Sequence, residues 1–368
     1  MLKQHIGILF GGPSGEHEVS IESARNIHGA LDSDKYHGIL IGLDKQGAWR
    51  LASPQQPLVT GAEGIGAGQH VNPLAMEVLP VRRANRIELL EAASGQTVEV
   101  IDLFFPIAHG SFGEDGCLQG FLRLLNVPFV GAGVLGSAVA MDKDVMKRLL
   151  CEAGLPGPKF QIVRTVERST VSYEKVASKL GQTLFIKPCN LGSSVGISKV
   201  RNQREFDAAM ALAFQFDQKV IIEENIVGRE IECAMLGNGA PRASVPGEIL
   251  VHADFYSYDA KYVDANGAGL DIPARLDPAV TKRIQELAVR TFQVLECAGF
   301  ARVDFFLKEN GEVLVNEINT LPGFTRISMY PKLWEATGIG YKDLLTRLIE
   351  LAQDAHKKEA ALKRSYKD

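Results

Sequence analysis

Ala301-Arg302-Val303-Asp304-Phe305-Phe306-Leu307 and Glu312-Val313-Leu314-Val315-Asn316-Glu317-Ile318-Asn319 flank Lys308-Glu309-Asn310-Gly311. Both flanks alternate apolar and polar residues, and Asn-Gly between two such runs predicts a hairpin closed by a type I′ turn. With that pair at the turn, Asp304 faces Glu317 and Arg302 faces Asn319, so all four share one face. Val303, Phe305, Val315 and Ile318 supply the other. Directly opposed side chains stand with Cβ atoms about 5 Å apart, where like charges repel unless compensated. A divalent cation is the expected compensation, and the oxygen-only set Asp304, Glu317 and Asn319 suits Mg²⁺, which takes a few carboxylates and completes its shell with water and phosphates. The plain alternative is a solvated outer face.

Upstream, Leu184-Phe185-Ile186-Lys187-Pro188 runs into Cys189-Asn190-Leu191-Gly192-Ser193-Ser194-Val195-Gly196. A lysine leaving a buried strand into a Gly/Ser loop suits a polyphosphate, because backbone N–H groups and hydroxyls can surround the oxygens while the ammonium offsets charge. The pattern is not that of a P-loop, since the lysine precedes the glycines. An ordinary turn is the alternative. Near the start, Phe10-Gly11-Gly12-Pro13-Ser14-Gly15-Glu16-His17-Glu18 is a glycine-rich turn opening a helix. Glu16 and Glu18 there either complement the helix dipole or, for Glu16, bind an ammonium. His109-Gly110-Ser111-Phe112-Gly113-Glu114-Asp115-Gly116 is similarly loop-like. On its own, His109 reads as a packed histidine more readily than as a base.

The remainder organises around these segments. The run Ile6 to Phe10, the glycine turn, and Ile21, Ala24, Ile27 and Leu31 at helical spacing read as strand, turn, helix. Ile39 to Leu43 and Val100 to Pro106 read as buried strands, and residues 52–73 as a surface excursion. This first α/β domain, with an expected parallel sheet, spans 1–140. A central α+β unit spans 141–227, opening with a helix from Asp142 to Ala153. The third spans 228–368 and holds a polar loop (His252 to Gly269), a helix begun by Asp277 and Pro278, the hairpin and the C-terminal helices.

The 368 residues, 46% apolar, can bury the cores of two or three domains. A net charge of −4, with Lys and Arg scattered, supplies no basic field for nucleic acid and favours a small-molecule partner. The N-terminus lacks signal-peptide features and no apolar run approaches about 18 residues, so a cytoplasmic, membrane-free protein is expected. Cys117, Cys151, Cys189, Cys233 and Cys297 show no CxxC spacing and read as reduced core or near-core thiols.

In order along the chain, GGPSGEHEVS from Gly11, HGSFGEDGCLQG from His109, MDKDVMKRLL from Met141, IKPCNLGSSVG from Ile186, GREIECAML from Gly228, DAKY from Asp259, ARVDFF from Ala301 and NEINTLPGFT from Asn316 resemble the D-alanyl-D-alanine ligase family of the ATP-grasp superfamily. Each element alone is weak, but the ordered set is specific and covers nearly the whole chain. The resemblance implies an ATP-grasp fold and ATP-dependent joining of two D-alanine molecules through D-alanyl phosphate, for peptidoglycan precursors. It implies ATP and Mg²⁺, with Mn²⁺ as an alternative, and Asp304, Glu317 and Asn319 as metal ligands. Lys143, Lys187, Ser194, Glu223, Glu224, Ile226, Glu230, Lys261 and Phe306 become the nucleotide contacts.

Glu16 and His109 are similar to residues at the first amino acid, Arg302 and Gly323 to groups that steady the tetrahedral oxyanion, and Ser328 and Met329 to residues at the second amino acid. Ser193 and Tyr262 resemble partners of Glu16 in a hydrogen-bonded network. The expected partners are D-alanine and ATP, in a homodimer. Two departures are peripheral: Phe112 stands where Leu is usual, and Glu224 where some relatives carry Lys. A depsipeptide ligase using D-lactate is the nearest rival, opposed by Tyr262. An ATP-grasp enzyme joining other amino acids is a second, and a non-catalytic nucleotide-binding module a third, opposed by the full acidic set.

Overall fold

The computed structural model describes residues 2–366 apart from Gly64, Asn85, Ser194, residues 252–267 and Arg364. β1 (Gln4–Gly11) is buried from Ile6 onwards, as an apolar run covered on both faces should be. α1 (His17–Ala30) crosses over to β2 (Tyr36–Leu43), which lies parallel to β1. β3 (Trp49–Leu51) follows, then a small separate hairpin of β4 (Val59–Thr60) and β5 (His70–Val71). Next come β6 (Met76–Arg83), β7 (Arg86–Glu91), β8 (Thr97–Ile101) and β9 (Leu103–Pro106). The sheet order is β8-β7-β6-β3-β2-β1-β9.

Only β2-β1-β9 is parallel; from β2 outward the strands pair antiparallel. The links beyond β2 contain no helix, and without a helical crossover adjacent strands run antiparallel. The expected Val100–Pro106 strand breaks at Asp102, whose carboxylate accepts the His5 N–H at 2.9 Å. Residues 52–73 are not a mere surface excursion. Leu58 and Val71 are buried, the Val71 N–H donates to His17 Nε2 at 3.0 Å, and Glu18 accepts the N–H groups of Gly66 and Gly68. Glu18 is thereby committed to this loop.

α2 (Cys117–Leu124), α3 (Val134–Met141) and α4 (Lys143–Glu152) lead to the second sheet. Asp142 caps α4 by accepting the Val145 N–H at 3.0 Å. β10 (Phe160–Arg164), β11 (Leu184–Pro188), β12 (Ser198–Val200) and β13 (Lys219–Glu224) then form an antiparallel sheet in the order β10-β13-β11-β12. Its own core contains Val163, Val176, Ile186, Phe206 and Ile222.

The third sheet comprises β14 (Arg229–Gly237), β15 (Arg242–Ala243), β16 (Gly247–Val251), β17 (Ala268–Asp271), β18 (Gly299–Leu307) and β19 (Val313–Asn319). The order is β17-β16-β14-β18-β19, with β15 paired to β14. The helix Pro278–Val294, capped by Asp277, buries Ile284, Leu287 and Phe292 in a core with Val303 and Phe305. Met146 and Leu150 of α4 enter that same core, which turns Lys143 and Lys147, one helical turn apart, towards the second sheet. A further core joins the first sheet to the helices Met329–Ala336 and Tyr341–Ala360, through Ile6, Ile8 and Phe10 on one side and Phe324, Tyr330, Trp334 and Leu348 on the other.

The hairpin turn differs from its sequence reading. Leu307 pairs with Val313, Lys308 N–H donates to Glu312 O at 2.9 Å, and Gly311 takes φ +84°. That is a three-residue connection with Gly311 in the left-handed region, not a two-residue type I′ turn. A register shift between Asp304 and Phe305 then makes Asn316 an extra residue on β19. The two deviations cancel, and Asp304 opposes Glu317 while Arg302 opposes Asn319.

Cys189, Cys233 and Cys297 are buried thiols, pushed by that burial up to about 12. Cys117 and Cys151 are exposed instead, on the outward faces of α2 and α4. Among the described residues no helix is long and apolar enough to cross a membrane.

Candidate active site

A cleft between the first sheet, the Gly/Ser loop after β11 and the third sheet is lined by Glu16, Glu114, Lys143, Ser193, Glu230, Arg302, Asp304, Phe306, Glu317, Asn319, Gly323, Ser328 and Met329, among others. Glu16 follows β1 and Glu114 follows β9, so the cleft lies off the carboxyl ends of neighbouring parallel strands whose chain departs to opposite sides. That is where ligands bind in open α/β sheets.

On the hairpin face, Arg302 grips Asp304 with two hydrogen bonds, Nε to Oδ1 at 2.7 Å and a terminal nitrogen to Oδ2 at 2.6 Å. The same guanidinium lies 2.9 Å from Glu232 Oε2. Lys143 Nζ stands 3.7 Å from Glu317 Oε2 and donates to Leu191 O at 2.7 Å. Asn319 Oδ1 accepts the Leu321 N–H at 2.9 Å and keeps a second lone pair. The charge balance therefore differs from the sequence expectation: protein cations already face both carboxylates, so repulsion alone does not demand a metal. What fits Mg²⁺ is the donor set, two carboxylates and an amide oxygen lining an open cleft. Among the described residues no three His, Cys, Asp or Glu side chains form a metal-holding group, so the set relies on outside oxygens for completion.

On the opposing sheet, Lys187 on β11 and Glu223 on β13 meet, Nζ to Oε2 at 2.6 Å. Lys147 of α4 takes the other oxygen at 2.6 Å. Burial would push the Glu223 carboxyl up, but Lys147 and Lys187 outweigh it and hold the group down to about 2, against an ordinary 4.5. Burial would likewise push the Lys187 ammonium down, and Glu223 more than reverses that. A folded pKa of about 2 makes Glu223 a stabilising group of about 3 kcal/mol above pH 4.5, lost as pH falls towards 2. In urea titrations the stability difference between wild type and Glu223→Gln is therefore expected to shrink from pH 5 to pH 3. A difference constant over that range would mean that the carboxylate is not held by the two lysines.

Glu230 and Phe306 are paired on β14 and β18 and both line the cleft, while Ile226 lies half-buried between β13 and β14. The Glu224 carboxylate accepts the Lys159 N–H at 2.7 Å and does not line the cleft.

Glu16 accepts a hydrogen bond from the Ser193 hydroxyl, tying the turn after β1 to the Gly/Ser loop. Glu114 borders the same cleft and accepts the Gly110 N–H at 2.7 Å. Burial, and then the Glu16 charge, hold its carboxyl well above the usual range. His109 does not line the cleft. Its Nδ1 faces Leu321 O at 2.9 Å and its Nε2 faces Ser23 Oγ at 3.4 Å, and burial pushes it below its ordinary pKa, which favours the neutral ring. His109 thus anchors the 320–328 loop through Leu321. In that loop a Cβ on Gly323 would come within 2.8 Å of Ser328 Oγ, so a larger residue would displace that hydroxyl. Ser328 also accepts the Thr325 N–H at 3.0 Å, and Met329 begins the helix behind it.

Ser194, Lys261 and Tyr262 lie outside the described residues. Sequence reasoning missed Lys147, although its spacing from Lys143 in MDKDVMKRLL was a usable signal, and it assigned Glu114 no role.

Residues 5–132 match a family model described as D-ala D-ala ligase N-terminus, and residues 149–350 one described as D-ala D-ala ligase C-terminus. A D-alanine–D-alanine ligase from Oceanobacillus iheyensis is 50% identical over 367 residues, covering 100% of both chains. The solved structure of the D-alanine-D-alanine ligase from Coxiella burnetii superposes with a TM-score of 0.81 at 39% identity, over 97% of each chain. The VanG D-Ala:D-Ser ligase from Enterococcus faecalis superposes with a TM-score of 0.81 at 33% identity, over 95% of this chain and 100% of that one. Matched by both models and by full-length relatives, the chain belongs to the D-alanine–D-alanine ligase family.

Proposed function

We propose that this chain joins two D-alanine molecules with ATP, as a cytoplasmic homodimeric enzyme of peptidoglycan precursor synthesis. The observation that carries the reading is one cleft lined by the phosphate-type lysine Lys143 and by Asp304, Glu317 and Asn319, with Lys187 at the end of the strand that leads into the Gly/Ser loop bordering it. The first carboxylate takes the γ-phosphoryl group, leaving ADP. The second amine, once deprotonated, attacks the acyl phosphate and phosphate leaves. Residues 1–140 supply the first amino-acid site, 141–227 the phosphate lysines, and 228–368 the metal face.

Asp304, Glu317 and Asn319 would hold Mg²⁺ or Mn²⁺, which when bound screens the charge of the phosphates. Lys143 and Lys187 bind phosphate oxygens, and the family resemblance adds Ser194 and Lys261 to the nucleotide contacts. Glu223, Glu224 through its backbone, Ile226, Glu230 and Phe306 hold the nucleoside. Glu16 accepts the first ammonium and is positioned by Ser193 and Tyr262, while His109 positions the loop that carries Gly323. Arg302 and the Gly323 N–H steady the oxyanion, and Ser328 with Met329 receives the second amino acid.

The reading is tested by phosphate release with Mg-ATP and D-alanine, D-serine or D-lactate as second substrate. Strict dependence on D-alanine supports it. A preference for D-serine would place the chain with ligases of the VanG kind, and D-lactate with the depsipeptide rival. Ser193→Ala removes one hydrogen bond from Glu16 and is expected to raise the half-saturating D-alanine concentration about two- to tenfold with ATP affinity unchanged. A change confined to ATP would make Ser193 a phosphate contact instead.

A further inference from the structure

Lys147 sits on the polar face of α4, between Met146 and the turn leading to Leu150, both of which are locked into the core of the third sheet. Its side chain is 5% exposed, its ammonium is 2.6 Å from Glu223 Oε1, and it donates to Asn316 O at 3.4 Å. Lys187, 14% exposed, holds the other Glu223 oxygen at 2.6 Å. One buried carboxylate therefore carries two cations, one on each oxygen. Only Lys187 stands at the mouth of the Gly/Ser loop. Asn316 is the extra residue of the β19 bulge, next to Glu317, so the same ammonium also ties the second sheet to the metal-type strand.

Were Lys187 the sole partner of Glu223, its transfer to a phosphate would strand a buried carboxylate, a state disfavoured strongly enough to resist the transfer. With Lys147 in place the carboxylate keeps a cation throughout. We infer that Lys147 is the standing counter-ion of Glu223, a positioning residue that releases Lys187 to the nucleotide phosphates and holds the carboxylate charged and oriented. The inference rests on the nucleotide reading of this site.

The experiment measures Mg-ATP binding by calorimetry without D-alanine, together with KM values for both substrates, in wild type, Lys147→Met and Lys147→Arg, each with Glu223 retained and with Glu223→Gln. Lys147→Met is expected to weaken ATP binding about tenfold or more, to leave the D-alanine KM within about twofold, and to be largely rescued by Lys147→Arg, which restores the charge. In the Glu223→Gln background the Lys147→Met penalty should fall to within about threefold, because the charge it serves is gone. Unchanged ATP binding in Lys147→Met overturns the inference, as does an equal penalty in both backgrounds, which would make Lys147 a packing residue. A Lys147→Met protein that fails to fold while Lys147→Met/Glu223→Gln folds and binds ATP supports the charge pairing. Failure of both to fold, with circular dichroism lost, overturns it. Wild type that does not bind Mg-ATP refutes the nucleotide reading itself, a result separable from the others.

Discussion

Glu317→Gln is expected to keep its fold and to lose about a thousandfold in turnover, the scale of removing an anionic ligand from a metal that screens a phosphoryl group. Glu317 lies on the cleft-facing side of β19, its side chain 35% exposed, while Val315 and Ile318 on the other side hold the core. Neutralising it costs little packing. Asp304→Asn should behave alike with a somewhat larger structural cost, since Arg302 loses one charged partner but keeps Glu232 at 2.9 Å. Circular dichroism should superimpose on wild type. Near-normal turnover at limiting Mg²⁺ in either variant would remove the hairpin face from the metal site.

Lys187→Ala should weaken Mg-ATP binding about ten- to a hundredfold, the range for one charge-assisted bond to phosphate, and slow phosphoryl transfer as well. D-alanine binding to the free enzyme should hold steady, because Glu16 is held by Ser193 and Lys187 by Glu223, two separate contacts. The fold should tolerate the change, since Glu223 retains Lys147. Equal nucleotide affinity in variant and wild type, measured by calorimetry, would return Gly192 to Gly196 to the status of an ordinary turn.

Legibility of the site in the sequence depended on whether its contacts are local. Asp304, Glu317, Arg302 and Asn319 share a face because strand alternation is a local rule, and the facing pairs survived even though the turn is a three-residue connection and β19 bulges at Asn316. Neither irregularity carries a clear local signature, so the agreement owes something to their cancellation. The Arg302–Asp304 bond was within reach of the same rule, being two residues apart on one strand, and it changes the charge argument for the metal. Lys147 was harder. Its partner Glu223 sits on a strand far along the chain, and only the packing of Met146 and Leu150 behind it turns it inward.

The first domain shows the same division. Strand β1 and the α1 crossover were readable from apolar runs and glycines, whereas the antiparallel edge from β3 to β8 follows from links too short of helix to cross over. The inward fold of residues 52–73 depends on His17 and Glu18, whose partners lie some fifty residues away in sequence. Tertiary hydrogen bonds of that span leave no mark on a local pattern.

The central claim is that the carboxylate of the first D-alanine becomes the bridging oxygen of an acyl phosphate. Turnover of D-alanine labelled with ¹⁸O in both carboxylate oxygens, in the presence of Mg-ATP, tests it through the mass of the released inorganic phosphate. One ¹⁸O atom per phosphate is the predicted result, because the amine of the second D-alanine expels the phosphate with the oxygen that bridged it. Unlabelled phosphate, or label recovered in AMP, would contradict the account.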